Sequence, residues 1–296
     1  MDTSIIIINY NTKELIKQCI ESVYEKTYNI NFEVIVVDNA STDGSQQMIK
    51  DFFPKVMLIE SPENLGFGRA NNLGSKYAKG RHLFLLNSDT ILINNAVKIL
   101  SEYLDCSIQV GCCGGNLLNR DRKSMLSFSR YIIPSIFDEV NQLFFRLPEK
   151  FLYGKNSFSN HTNKPMKVGY ITGADLMIRK SLFDKLNGFD SDFFMYYEEC
   201  ELQYRINKMG FKIFSVPYAQ IIHLDGKSFS NDIDKLGKKL VSRTIFFQKV
   251  YNSTTTLIIN ILFFIRIIEH ILFFILILNK KKITYWLVCY KYIISR

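Results

Sequence analysis

The chain has 296 residues, 47% hydrophobic and 22% charged, enough for one large α/β domain with an appendage and too apolar for a disordered chain. Its net charge of +9 is unevenly placed: residues 1–234 hold 26 Lys+Arg against 27 Asp+Glu, a net of −1, whereas residues 235–296 hold 11 against Glu269 alone, a net of +10. A uniform nucleic-acid-binding surface is thereby disfavoured, and a basic tail facing anionic lipid headgroups is favoured.

In chain order, residues 4–9 contain four consecutive isoleucines and read as a buried strand. No basic start precedes them, and the apolar run 5–8 is too short for a secretory signal, so a cytoplasmic location is expected. The six cysteines, at 19, 106, 112, 113, 200 and 289, show neither CxxC nor zinc spacing and are expected to be free thiols. Asn11 with Glu14 has the pattern of a capping box for a helix over 12–27, and residues 32–37 form a second strand ending at Asp38, completing a βαβ unit. A loop of turn and cap residues (38–45, DNASTDGS), a helix (45–53) and a strand (56–60) follow.

The loop 61–74, SPENLGFGRANNLG, carries Gly66, Gly68 and Gly74 with Arg69 among them, which lets backbone approach a ligand closely. It is not a dinucleotide fingerprint, because that pattern should follow the first strand, where Asn9-Tyr10-Asn11 stands. The apolar run 82–86 then stops abruptly at Asn87-Ser88-Asp89. This is how a buried parallel strand delivers a carboxylate to the carboxyl edge of a sheet, where open α/β sheets bind ligands. With no Lys or Arg beside it in sequence, Asp89 needs a counter-charge, and a divalent metal carrying a phosphorylated ligand would supply one. Capping of the next helix is the plainer use of the same residues. A helix near 94–103 and a strand near 109–115 complete a mostly parallel, doubly wound α/β sheet over 1–115.

Residues 116–165, with Pro134, Pro148 and Pro165, read as long loops and a mobile helix over a second ligand. A strand resumes over 168–179 with a bend at Gly173-Ala174, and strands over 211–216 and 219–222 flank Pro217. The helix 198–208 opens with Glu198, Glu199 and Glu201 behind the aromatic run 193–197, whose bulk would desolvate an inward carboxylate and raise its pKa toward that of a general base. Successive helical residues point about 100° apart, so only one of Glu198 and Glu199 can face the site; the other caps, pairs or meets solvent. His223, after 219–222, suits a metal and diphosphate site together with Asp89.

The tail is apolar over 256–278 but interrupted by Arg266, Glu269 and His270. Eighteen Ile, Leu and Phe residues favour insertion by roughly 5–11 kcal/mol, against about 5–7 kcal/mol opposed by Arg266 and Glu269. A helix or helical pair lying on the membrane fits the flanking Lys238, Lys239, Arg243, Lys249 and Lys280 to Lys282, with Tyr285, Trp286 and Tyr290 in the headgroup zone. A spanning helix and a buried core or homodimer helix are the other readings.

Several motifs stand in order from residue 5 to about 228: SIIIINYNTKELIKQCIES, VIVVDNASTDGS, ENLGFGRANNLG, FLLNSDT, TGADLMIRKSLFDKLNGFD, FMYYEECELQYRINKMG and HLDGKS. Together they resemble the family 2 glycosyltransferases of the GT-A fold, in particular the bacterial rhamnosyltransferase-like branch. The resemblance implies that Asp38 contacts the base or ribose of a nucleotide-diphosphate sugar, dTDP- or UDP-linked, with Asn9, Asn39 and Arg69 near it. Asp89 would be the metal-binding carboxylate of the DxD-like motif, with Asn87 where the first aspartate would stand, and His223 would share the Mg²⁺ or Mn²⁺ and the diphosphate. Gly173, Ala174 and Asp175 would border the sugar and acceptor, and Glu199 falls at the catalytic base. The domains implied are 1–234, a GT-A unit with a nucleotide-binding half (1–115) and an acceptor half (116–234), and 235–296, a membrane-associating helical tail. The activity implied is inverting transfer of a sugar, rhamnose first among candidates, to a hydroxyl of a glycan or lipid-linked acceptor. It would serve cell-surface polysaccharide synthesis at the cytoplasmic face of the membrane. A sugar nucleotidyltransferase should show a Gly-rich, Lys- or Arg-bearing loop after the first strand, which NYNTKE is not; a non-enzymatic, membrane-associated nucleotide-sugar-binding protein is the other rival.

Overall fold

The structure, a computed structural model, describes residues 1–130, 134–224 and 232–294. Eleven strands lie within these residues: β1 (Thr3–Asn9), β2 (Phe32–Asp38), β3 (Met57–Glu60), β4 (His82–Asn87), β5 (Thr90–Leu92), β6 (Val110–Leu118), β7 (Phe128–Ser129), β8 (Met166–Val168), β9 (Tyr170–Ile171), β10 (Asp175–Arg179) and β11 (Lys212–His223). The α-helices are α1 (Lys13–Lys26), α2 (Ser45–Phe52), α3 (Phe67–Ser75), α4 (Ala96–Asp105), α5 (Ile136–Leu143), α6 (Leu147–Tyr153), α7 (Lys180–Lys185), α8 (Glu198–Lys208), α9 (Asp232–Val250), α10 (Ser253–Leu276) and α11 (Lys280–Ile294).

Nine strands make one sheet in the order β3-β2-β1-β4-β10-β6-β11-β5, with β8 beside β11. Pairings β1 with β2, β1 with β4, β2 with β3 and β6 with β11 are parallel; β10 runs antiparallel between β4 and β6. Side chains alternate between two layers, as expected of a sheet buried on both faces. Ile5, Ile7, Val34, Val36, Phe84 and Leu86 face one core, with α1 and α4; Ile6, Ile35, Leu83, Leu85, Leu176 and Ile178 face the other, with α7 and α8. The parallel strands therefore end together at one edge, where Asn9 stands opposite Asp38 and Ile8 opposite Asn87.

The chain forms two compact units. One comprises Met1–Ile133, Lys155–Phe194 and Glu198–Ser228; the other comprises Pro134–Gly154, Met195–Tyr197 and Phe229–Arg296. Residues 134–154, placed by sequence in the acceptor half, thus group with the tail helices, and two helices, α5 and α6, stand where long loops and one helix are expected. The strand expected over 168–179 is broken into β9 and β10, while those expected over 211–216 and 219–222 are one strand that runs through Pro217 with a register shift. The capping box is absent as well: Asn11 adopts φ 53° and its side chain accepts from Thr42 N. The first turn of α1 is capped from the next loop instead, where Asp43 Oδ2 accepts from Lys13 N at 2.8 Å. All six cysteines are free, and burial pushes Cys19, against β4 and β5, up to about 12.

His82, at the start of β4, is 1% exposed, with Nδ1 2.8 Å from Ser101 Oγ and Nε2 3.4 Å from Asp105 Oδ1. Burial lowers its pKa to about 4, with Asp105 opposing. Below pH 6.5 the unfolded chain takes up a proton that the folded chain refuses until about pH 4, so stability is lost as pH falls through that window. The difference of 2.5 units is worth about 3 kcal/mol. His82→Gln should therefore flatten the loss of stability between pH 7 and 4.5 in urea titrations; an unchanged slope would show that His82 does not carry it.

Candidate functional site

The carboxyl edge of β1, β2 and β4 gathers the polar residues of the three loops that follow those strands. Asn9 Nδ2 donates to Asp38 Oδ2 at 2.6 Å and to Ser41 Oγ at 3.0 Å, while Asn9 Oδ1 accepts from Thr12 Oγ1 at 2.7 Å. The other Asp38 oxygen accepts from Ser41 N at 2.9 Å and Gln46 Nε2 at 2.7 Å. Asp38 is fully buried, so its charge is held from several sides by neutral donors and fixes the loop 38–46. Ala40 in that loop takes φ 60°, a left-handed conformation costly for alanine and tolerated where surrounding bonds over-determine it.

Asn39 joins this corner to the glycine loop. Its side chain donates to Gly66 O at 3.1 Å and its Oδ1 lies 3.4 Å from Leu65 N. Gly66 has φ +79°, and a Cβ there would stand 2.0 Å from the backbone oxygen of Phe194, so only glycine fits. Phe67 N in turn donates to that Phe194 oxygen at 3.0 Å. Arg69, in the first turn of α3, is exposed and has no acidic partner among the described residues.

Past β4, Asn87 N donates to Ala174 O at 3.0 Å, tying the Gly173-Ala174 bend to the same edge. Ser88 Oγ accepts from Thr12 at 3.0 Å. β5 pairs with the end of β11, setting His223 opposite Thr90, and Leu224 N donates to Asp89 O at 2.8 Å. His223 Nε2 thereby comes within 3.2 Å of Asp89 Oδ1 and 3.5 Å of Asn87 Nδ2. Neighbouring ligands of an octahedral divalent ion with bonds of about 2.0–2.1 Å lie about 3 Å apart, so this carboxylate and imidazole fit two such positions. No cluster of three or more His, Cys, Asp or Glu suited to a metal occurs among the described residues. A two-donor set suits a cation that fills its other positions with phosphate oxygens and water. Asp225, Gly226, Lys227 and Ser228, the rest of the HLDGKS motif, lie outside the described residues.

The three glutamates of α8 divide as the helical geometry requires. Glu201 is buried in a two-pronged ion pair with Arg205, both bonds 2.7 Å, and Arg205 also donates to the carbonyls of Leu186 and Gly188. Glu198 is buried, its Cβ near Gly68. Glu199 is half-buried and faces Gly173, where a Cβ would lie 3.7 Å from that of Glu199 and 3.4 Å from the Phe67 ring. Gln203 locks the middle of this helix to β9, exchanging bonds with Ile171 N and O at 2.7 Å each.

Thus Asn9, Asp38 and Asn39 form one corner, Asn87, Asp89 and His223 a second, and Gly173 and Glu199 a third, with Ala174 tied to the second and Phe67 touching the third. Asp175 stands apart: its side chain is fully buried, Oδ2 accepting from Gly115 N at 2.6 Å and Oδ1 without a hydrogen-bond partner among the described residues. Thr12, Ser41, Gln46 and Phe67 were not foreseen from the sequence; Ser41, inside the loop of turn and cap residues, and Gln46, directly after it, carry a local signal.

A family model described as Glycosyl transferase family 2 matches residues 4–186. The chain is 27% identical over 215 residues to the N-acetylglucosaminyl-diphospho-decaprenol L-rhamnosyltransferase of Mycobacterium tuberculosis, covering 67% of this chain and 68% of that one. It is 23% identical over 235 residues to the rhamnosyltransferase WbbL of Escherichia coli, covering 76% and 85%. Among solved structures, the mannosyltransferase PcManGT of Pyrobaculum calidifontis, in complex with GDP-Man and Mn²⁺, aligns over 97% of this chain and 85% of its own with a TM-score of 0.57 and 17% identity. GalNAc-T7 with UDP, GalNAc and Mn²⁺ aligns over 83% of this chain with a TM-score of 0.60 and 16% identity, this chain spanning half of it.

Burial pushes the Asp175 carboxyl well above the usual carboxylate range, the Gly115 amide opposing. The folded chain therefore ionises this group less readily than the unfolded chain does, so stability falls as pH rises above 3.8. Asp175→Asn should keep donor affinity and raise the melting temperature more at pH 8 than at pH 5; lost donor affinity with an unchanged melting temperature would return the carboxylate to ligand binding.

Proposed function

The chain belongs to glycosyltransferase family 2, with the GT-A fold, and from that footing we propose an inverting, divalent-cation-dependent transfer of a sugar from a nucleotide-diphosphate donor to an acceptor hydroxyl. Family membership leaves the nucleotidyltransferase and the non-enzymatic binding protein without support. The observation that carries the mechanism is the convergence of Asp89 and His223 at the sheet edge that also bears Asn9 and Asp38. A diphosphate needs positive charge where its leaving oxygen develops negative charge, and a bound cation supplies it.

Asp89 and His223, with Asn87 beside them, would hold Mg²⁺ or Mn²⁺. The nucleoside end of the donor lies at the corner of Asn9, Asp38 and Asn39, where the buried Asp38 carboxylate fixes the loop that meets base or ribose. Arg69, exposed at the start of α3, is placed to pair with phosphate. Gly173 and Ala174 leave room for the sugar beside Glu199. Glu199 takes the proton of the acceptor hydroxyl as that oxygen bonds to the anomeric carbon from the face opposite the diphosphate, which leaves with the bonding electron pair; the configuration inverts. The relatives named as rhamnosyltransferases make a deoxyhexose donor, dTDP- or UDP-linked, the first to test, and a lipid-linked glycan the first acceptor. α10 is long and apolar enough to cross a membrane, and the basic, apolar tail is read as attaching the protein to the cytoplasmic face of the membrane.

Glu199→Gln should leave donor affinity within about threefold and lower the transfer rate by about 10²–10⁴-fold. Asp89→Asn should weaken calorimetric donor binding with Mn²⁺ by about tenfold or more while leaving metal-free binding unchanged. Full transfer by Glu199→Gln would remove it from the role of base, and an unchanged titration of Asp89→Asn would remove Asp89 from the cation.

A further inference from the structure

Beside an apolar core of Leu236, Leu240, Phe263, Ile267 and Cys289, part of the helical unit is turned inside out. In the α5–α6 hairpin three polar residues face inward: Glu139 is 3% exposed, and Asn141 and Glu149, both buried, bond to each other at 2.9 Å, while Lys150 is exposed. Its large apolar residues face outward, Phe137, Phe144, Leu147 and Leu152 all exposed and Phe151 91% exposed. α10 repeats the pattern. Arg266 and His270 are buried, whereas Leu257, Ile261, Ile265, Ile268, Leu272 and Leu276, spaced by three and four residues along one face, are exposed.

The inward charges are matched across elements. Glu139 of α5 takes Arg243 of α9 at 2.9 Å and Arg266 of α10 at 3.1 Å; Arg243 also reaches Asn260 and Arg266 reaches Gln142. Aromatic rings close over both guanidinium groups, Phe263 at 4.0 Å from Arg243 and 4.8 Å from Arg266. In water this arrangement is unfavourable twice over, since it desolvates three charges and hydrates a belt of phenylalanines and leucines. In hydrocarbon it is the expected one, with Glu139, Arg243 and Arg266 paired internally and the apolar side chains turned to the acyl chains; Lys150, exposed in the last turn of the hairpin's second helix, and Glu269, beside the apolar face of α10, then belong at the headgroup level.

We infer that the α5–α6 hairpin, an internal segment far from the tail in sequence, is seated together with the outer face of α10 in the hydrocarbon layer of an anionic lipid bilayer. The inference rests on the reading of the tail as membrane-attaching and adds a second inserted element to it. Charge complementarity selects the occupant: the exposed Lys280, Lys281 and Lys282 follow α10 directly, in a segment of net charge +10, and suit anionic headgroups. An eight-residue helix such as α5 is about 12 Å long and cannot cross a bilayer, so the hairpin enters from one side only.

The test uses the full chain with a single tryptophan reporter, Phe151→Trp combined with Trp286→Phe, and vesicles of phosphatidylglycerol and phosphatidylcholine with or without acyl-brominated lipid. A side chain about 5–10 Å below the headgroup boundary should lose about half or more of its emission to the brominated lipid and shift to the blue. Flotation with vesicles but an unquenched, water-exposed reporter would overturn the hairpin's insertion and leave tail attachment standing. Absence of flotation would overturn both. A blue-shifted reporter in a lipid-free dimer, unaltered by vesicles, would assign the face to a second copy of the chain and also overturn the inference.

Discussion

Parallel register is the constraint on which the site depends. Because β1, β2 and β4 rise in step, Asn9, Asp38 and Asn87 leave the sheet at nearly the same level, and three loops must share one patch of edge. The polar groups there satisfy one another: Asn9 spans Asp38, Ser41 and Thr12, and Thr12 reaches Ser88. A one-residue slip of β4 would turn Asn87 to the other face and carry Asp89 away from His223. The antiparallel β10 extends the same logic, since Asp175 pairs with Leu86 and so brings the Gly173-Ala174 bend alongside Asn87.

The two units solve the problem of buried charge differently. In the catalytic unit the buried carboxylates have local duties: Asp38 fixes a loop, Glu201 anchors α8 through Arg205, and Asp175 accepts from Gly115 N inside the sheet. In the helical unit Glu139 has no such loop to fix. It gathers two arginines from different helices, which takes three charges away from the outside of α5 and α10 and leaves Glu269 at the margin of the apolar face of α10. Arg266, which opposes insertion when counted by itself, is paired with Glu139 inside the unit and buried.

Much of this was legible in the sequence. β1, β2 and β4 announce themselves by apolar runs that stop at polar residues, and Asn9, Asp38, Asp89, Glu199 and His223 stand at motif positions. What was hidden depends on long-range placement. The cap of α1 comes from Asp43, thirty residues on, so a local rule pointed to Asn11 and Glu14 instead. Asp175 reads like its motif neighbours, yet the pleat turns it into the sheet. Residues 134–154 fall in a proline-bearing stretch that reads as long loops with a mobile helix, and what that reading lacks is the side each residue takes: Glu139 and Glu149 inward, Phe137, Phe144 and Phe151 outward.

The central claim is that Asp89 and His223 together hold the cation that accompanies the donor diphosphate. Pulsed electron paramagnetic resonance of Mn²⁺, bound to the full chain with a nucleoside diphosphate, tests it most directly. A nitrogen coupling from a directly bound imidazole is predicted, lost in His223→Ala and kept in His161→Ala, His161 being an exposed histidine outside the three corners of the site. Manganese bound without any imidazole nitrogen, or a coupling that survives loss of His223, would contradict it.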